Sequence, residues 1–228
     1  MANGLIVIIN LLVLVFAVVA AVTLIRSHAT ARMAPVLVIA LATLIGLANA
    51  FLPPLAALRD HFPLAQPLAV VGMSIGLLAF GLAPAGRDYF RTTAVKPLIA
   101  LQGWRLLFGG LLLTAGMFGA LPPAFFWSVA LGDMIVGAWA ISIWRRREPA
   151  SNTELKIWSA VSLLDLLHLL PRAVIALPPF YAAHPELLRP ILLPLLGIPM
   201  LIALQILLLR RFIADGKSPE GNAPLQSH

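Results

Sequence analysis

Long apolar runs separated by short polar segments dominate the chain. A run of roughly 18–25 residues with few charges is typical of a helix that crosses a bilayer, because the hydrocarbon core is ~30 Å thick. We therefore predict an all-α polytopic membrane protein with seven transmembrane helices. The expected spans cover residues 4–25, 35–52, 67–82, 98–119, 124–144, 155–177 and 187–212, and a disordered polar tail follows at 214–228.

Proline pairs mark several of the predicted span ends. The Leu121-Pro122-Pro123 turn is so short that the fourth and fifth spans must form an antiparallel hairpin. Pro178-Pro179 is expected to end the sixth span, since a helix usually ends before such a pair. The seventh span should be kinked or locally broken, because it contains three prolines: Pro190, Pro194 and Pro199.

The positions of the basic residues predict the orientation of the chain. The segments beside the ends of the first, third and fifth spans, together with the C-terminal end, hold twelve of the sixteen Lys and Arg residues. The segments on the other side hold two. Because basic segments stay in the cytoplasm, we expect the N-terminus outside and the C-terminus inside. Arginine greatly outnumbers lysine, which suggests a bacterial source and therefore the inner membrane.

Composition limits the classes of partner. The chain is 61% hydrophobic and 11% charged, whereas soluble domains are about 45–50% apolar and 25% charged. The net charge of +7 lies between apolar runs, so we expect membrane lipids as partners and no nucleic acid. There is no cysteine, which excludes disulfides and thiolate metal sites.

Ionisable residues inside the sixth span are the strongest functional signal. At 100° per residue, Trp158, Ser162, Asp165, His168 and Arg172 share one stripe of a helix. A charge at bilayer depth costs at least ~2.5–3.5 kcal/mol, so this stripe should face protein or water. His168 beside Asp165 is suited to relay a proton, whereas Arg172 is close enough to the outer interface to snorkel.

The fourth and fifth spans carry further polar residues at similar depth. Asp133 and Asp165 each lie about ten residues from a cytoplasmic span end, which places both near the midplane, roughly 15 Å deep. Gln102 and Arg105 are three residues apart on the fourth span. The long Arg105 side chain should reach Asp133, so we predict an ion pair between them. Two glycines on the same stripe would let another helix approach it: Gly109 and Gly116.

Several chemistries find too few ligands in the spans. All three lysines lie in loops, at the very start of a span or in the tail, which excludes a retinal Schiff base in the bundle. His168 is the one histidine within a predicted span, which disfavours haem and a multi-histidine zinc site. The usual hydrolase and P-loop motifs are missing. We expect no cofactor and no metal, and we name no catalytic residue.

Three short patterns occur in the fourth to sixth spans: Gln102-x-x-Arg105, Gly132-Asp133-x-x-x-Gly137, and Trp158 followed by Asp165. Together they resemble a group of small bacterial multi-pass membrane proteins of unknown function. The resemblance covers about a third of the chain. It implies a helical membrane fold and carries no activity with it.

Three functions are compatible with these features. The first is a small carrier or ion/proton-coupled permease, in which Asp165 and His168 titrate and the arginines attract a polar or anionic small solute. The second is a non-catalytic membrane subunit or assembly factor, with a membrane protein partner or a second copy of itself, whose buried polar residues only fix packing. The third is an intramembrane lipid-modifying enzyme.

Overall fold

The computed structural model describes residues 1–26, 93–184, 186–187 and 197–215, together with positions 75, 76, 79 and 82. Every regular element in these ranges is a helix, as predicted. The spans expected at 35–52 and, for the most part, 67–82 lie outside the described residues, as does the tail from 216 onward. The helices are α1 (Ala2–Arg26), α2 (Val95–Gln102), α3 (Trp104–Met117), α4 (Pro123–Arg145), α5 (Asn152–Ala183) and α6 (Ile198–Asp215).

Within the described residues, four helical segments are long and apolar enough to cross a membrane: Ala2–Ala20, Val95–Met117, Pro123–Arg145 and Asn152–Ala183. Their outward faces expose large apolar side chains such as Val18, Ile135, Leu164 and Ile175. Lipid is the solvent that suits such surfaces. The segments therefore agree with the membrane class predicted from the sequence.

Hydrogen bonds between helix ends show how the helices alternate. Lys96 at the start of α2 donates to the carbonyl of Arg146, which follows α4, at 3.2 Å. Arg211 near the end of α6 donates to the carbonyl of Thr93 at 2.6 Å. We call this side of the bundle the basic end. Asn3 of α1 instead contacts the carbonyl of Glu186, beyond α5, at the opposite end.

The predicted fourth span is interrupted. It begins earlier than expected, at Val95, and Gly103 separates α2 from α3. The Gly103 N–H donates to Ala100 and the Leu106 N–H to Gly103, so the backbone makes 3₁₀-type bonds here. A side chain on Gly103 would press on Ile141 of α4, with its Cβ 2.9 Å from Ile141 Cγ1. Gly103 itself has φ −61° and ψ −23°, which any residue adopts, so glycine is needed here for the close approach of α4 and not for the interruption.

Glycines also bring α3 against α4, as the sequence predicted. A Cβ on Gly109 would lie 2.6 Å from the carbonyl oxygen of Ala130, and one on Gly116 would overlap the ring of Phe126. Neither position has room for a side chain larger than the hydrogen atom of glycine. The α3–α4 hairpin then turns at Gly119, whose φ of +75° suits glycine, and Pro123 occupies the first turn of α4.

The sixth span does not end at Pro178-Pro179, as the sequence had suggested. Helix α5 contains both prolines and continues to Ala183. Each proline removes one helical hydrogen bond, but both residues are exposed, so neither ring meets a packed neighbour. The last helical turn of α5, which follows the prolines, contains buried Tyr181. Its hydroxyl donates to the carbonyl of Ala120 at 3.4 Å.

The last predicted span also differs in its described part. Leu187 lies in a turn closed by its N–H and the carbonyl of His184, rather than at the start of a helix. Pro199 is the second described residue of α6. The kink expected there depends on residues before Gly197, which lie outside the described residues, so it stays a prediction. Pro190 and Pro194 lie outside the described residues. The helix runs to Asp215, slightly into the predicted tail.

Candidate functional site

Arg105 of α3 connects three helices through one fully buried side chain. Its Nε donates to Asp133 Oδ1 of α4 at 2.6 Å, which confirms the predicted ion pair. Its Nη2 donates to Asp165 Oδ2 of α5. Its Nη1 donates to both the hydroxyl and the carbonyl of Ser162, at 2.5 and 3.2 Å. We call Arg105, Asp133, Ser162 and Asp165 the ion cluster.

The ion cluster contains one more carboxylate than guanidinium. With all groups ionised, its formal charge is −1. The Arg105 side chain is 0% exposed, that of Asp133 8% and that of Asp165 17%, so Asp165 is the most open of the three. Each carboxylate uses one oxygen for Arg105, and the second oxygen has no hydrogen-bond donor among the described residues. A proton or a small cation would compensate this charge.

Two glycines of α4 position the charged side chains. A Cβ on Gly132 would overlap the carboxylate of Asp165, so that carboxylate packs directly on the α4 backbone. A Cβ on Gly137 would overlap the backbone at Leu106, beside Arg105. The pattern Gly132-Asp133-x-x-x-Gly137 therefore supplies one carboxylate of the ion cluster. Its two glycines leave space for the Asp165 carboxylate and for the α3 backbone beside Arg105.

A second buried layer lies on the basic-end side of the ion cluster. Trp158 is fully buried, and its Nε1 donates to the carbonyl of Val136 at 3.3 Å. Gln205 of α6 donates through Nε2 to the hydroxyl and the carbonyl of Ser159, at 2.5 and 3.2 Å. These bonds connect α5 to α4 and to α6 immediately below the charges.

Gln102 is brought next to the ion cluster by its position three residues before Arg105. Its side chain is fully buried, and neither Nε2 nor Oε1 has a hydrogen-bond partner among the described residues. Burying an amide without a partner costs about 1–3 kcal/mol by mutational measures. The contacts among the described residues therefore do not explain why this buried residue is an amide.

His168 and Arg172 do not join the ion cluster, although the sequence placed them on the same stripe. Arg172 Nε donates to His168 Nε2 at 2.6 Å, and Arg172 Nη1 donates to the carbonyl of Ala124 at 3.0 Å. Both side chains are exposed. Asp165 hydrogen-bonds to Arg105, a contact that the sequence did not predict. The proton relay expected of Asp165 and His168 stays a prediction.

Sequence reasoning overlooked two members of the site. Ser162 was noted on the stripe but not as a ligand of Arg105, and Gly132 was not connected with Asp165. Both residues could have been found in the sequence as small residues at the depth of a buried charge. Only small residues leave room for a guanidinium or a carboxylate between helices. Among the described residues, no group of three His, Cys, Asp or Glu side chains lies close enough to hold a metal ion.

Residues 61–213 match a family described as a domain of unknown function (DUF8737), and the chain belongs to that family. The matched range contains Gln102, the ion cluster and the pair formed by His168 and Arg172. No curated protein and no solved structure matches the chain.

Proposed function

We propose that this protein is a small proton- or cation-coupled permease whose ion-binding site lies between α3, α4 and α5. The observation that carries the proposal is the charge of the ion cluster: two carboxylates from different helices share one arginine. A buried site with one uncompensated negative charge is stable when it binds a proton or a cation. Binding and release of that charge would couple the site to an ion gradient.

Asp165 is the proposed binding group. Its carboxylate is more exposed than that of Asp133, and one of its oxygens is not engaged by Arg105. Protonation there would weaken one bond between α3 and α5. The bonds to Asp133 and Ser162 would remain, so the helices would loosen rather than separate. Such a partial release is suited to a transport cycle.

The solute is proposed to be small and polar. Arg105 is occupied by two carboxylates, so its charge is not free to attract an anion. Arg172 is exposed at the opposite end of α5, where it is available to a polar or anionic solute. No cofactor is part of the proposal.

We propose the seven-span topology, with the N-terminus outside and the C-terminus in the cytoplasm, and the bacterial inner membrane as its location. The alternation of the described helices supports an odd number of crossings. Helix α1 starts at the end opposite the basic end, and α6 finishes at the basic end. Cytoplasmic placement of the basic end follows from the positive-inside rule.

The proposal is tested by proton flux into liposomes. The purified protein is reconstituted with an internal pH-sensitive dye, and a pH gradient is applied with potassium and valinomycin to balance charge. A mixture of amino acids, sugars and small carboxylates is present outside, because a coupled permease moves its ion together with its solute. We expect the wild type to dissipate the gradient and Asp165→Asn to abolish the flux, while the melting temperature stays nearly unchanged. His168→Gln is the matched control on the same helix, and it should retain the flux. If proton flux is absent, the same liposomes are assayed with a sodium gradient.

Absence of both proton and sodium flux in the wild type would contradict the permease. A second candidate, a non-catalytic subunit or assembly factor, would then be preferred. It is favoured by the complete burial of Arg105 and by its bonds to three side chains on two other helices, which resemble a packing device. This candidate predicts that Asp165→Asn also lowers the melting temperature strongly, and that a membrane protein co-purifies with the chain.

A further inference from the structure

Gln102 is a buried polar residue that the proposed permease does not use. Its amide is fully enclosed, and both of its polar atoms lack a hydrogen-bond partner among the described residues. Almost all buried polar groups in folded proteins are paired with protein atoms or with ordered water. An enclosed amide with no partner among the described residues therefore indicates a small ligand.

The backbone beside Gln102 supplies further hydrogen-bonding groups. In a continuous α-helix, the N–H groups of Gly103 and Leu106 would donate to the carbonyls of Ile99 and Gln102. Here they donate to Ala100 and Gly103 instead, at 3.0 and 3.1 Å. The two carbonyls thereby lose their usual donors. The interruption thus places acceptors next to a side chain that both donates and accepts.

We propose that the Gln102 amide and the interrupted backbone at Gly103 form a binding subsite for one water molecule, on the basic-end side of the ion cluster. A buried water typically makes about three hydrogen bonds and needs both donors and acceptors. The Gln102 amide offers an N–H donor, which a cation cannot use, beside carbonyl acceptors, so this mixed set suits water rather than an ion. The subsite lies about 4.5 Å along the helix axis from Arg105, at 1.5 Å per residue.

The role of this water rests on the proposed function. A proton that reaches Asp133 or Asp165 from the basic end has to cross the buried layer that contains Trp158, Ser159 and Gln205. A water held by Gln102 would be a hydrogen-bonding step in that layer. Gln102 would then be a positioning residue, since it does not itself titrate.

Water contact is measured by solid-state nuclear magnetic resonance of the full-length protein in lipid bilayers. Glutamine is labelled with ¹⁵N, and magnetisation is transferred from water to the side-chain amides. We expect the Gln102 amide to receive magnetisation at short transfer times. Gln205 is the internal control, because its Nε2 donates to Ser159. Its Oε1 is also buried without a partner among the described residues, but the measured group is the amide N–H, so Gln205 should respond later. The signals are assigned by their loss in Gln102→Met and Gln205→Met.

A Gln102 signal that responds as slowly as that of Gln205 would overturn the subsite. The melting temperature gives a second measurement. If Gln102 binds water, Gln102→Met loses those hydrogen bonds and melts at a lower temperature. If Gln102 is dry, methionine removes an unsatisfied amide, and an unchanged or higher melting temperature contradicts the proposal.

The water subsite and the permease are contradicted by different experimental results. Fast water transfer to Gln102 in a protein without ion flux would leave the subsite in place and contradict only the permease. Slow transfer in a protein that conducts protons would remove the subsite and leave the permease. If both hold, Gln102→Met should slow the wild-type flux, whereas Gln205→Met should not.

Discussion

The two halves of α5 carry charged residues on one stripe, but they meet different surroundings. In the half near the basic end, Trp158 and Ser162 are fully buried and Asp165 is mostly buried against α3 and α4. In the half near the opposite end, His168 and Arg172 are exposed and pair with each other along the helix. The helix is continuous through both halves.

Depth explains the difference. A carboxylate at mid-span has no water within reach, so it needs a partner on another helix. Arg172 lies about 30 Å along the helix from Asn152, at 1.5 Å per residue, and from there its side chain reaches the interface. A shared stripe therefore predicts which residues point the same way, whereas depth decides which of them must be paired.

Replacing each arginine in turn should show the largest difference in stability between the two halves of α5. Arg105→Met leaves two buried carboxylates without a cation, and we expect a loss of about 3–5 kcal/mol in the free energy of unfolding. Arg172→Met, the matched control, removes exposed hydrogen bonds and should cost about 0–1 kcal/mol. Both are measured by denaturant unfolding in micelles. Equal losses for the two variants would contradict the contrast.

Closing the space under Asp165 should have the next largest effect. Gly132→Ala puts a methyl group into the Asp165 carboxylate and should destabilise by about 1–3 kcal/mol. Gly110→Ala of α3 is the control, because nothing lies within 4 Å of its added Cβ, and helix propensity should make it neutral or slightly stabilising. Thermal melting of both proteins checks this. A Gly132→Ala protein as stable as the control would mean that Asp165 does not pack on α4.

The buried tryptophan of α5 gives the smallest expected effect. Trp158→Phe removes the hydrogen bond to Val136 and part of the ring volume, so we expect a loss of about 1–2 kcal/mol. Trp144 is 46% exposed at the basic end of α4, and Trp144→Phe should change the unfolding free energy by less than about 0.5 kcal/mol. The order of the two changes in chemical denaturation is the test.

The sequence was sufficient for the helical class and for one contact of the site. Apolar runs locate the helices because lipid admits little else, and the reach of Arg105 at matching depth predicted its pair with Asp133. The glycine face of α3 was also predictable, since Gly109 and Gly116 recur at helical spacing. These features depend on local pattern and depth alone.

Other features depend on tertiary contacts that no single segment encodes. Helix α5 continues past Pro178-Pro179, and there Tyr181 contacts the α3–α4 turn. The contact of Asp165 with Arg105 depends on how α5 rotates against α3. The space available at Gly103 is limited by Ile141 of another helix. Each of these features involves contacts between residues that are far apart in the sequence.

The contact between Gly132 and Asp165 has a consequence for the family as a whole. Because the carboxylate of Asp165 occupies the space that a side chain at position 132 would need, the residue types at these two positions should covary among relatives. Relatives that keep the acid should keep the glycine, and relatives that lose the acid are free to accept alanine or serine. The pair is therefore a sharper marker of members with the same site than either residue alone.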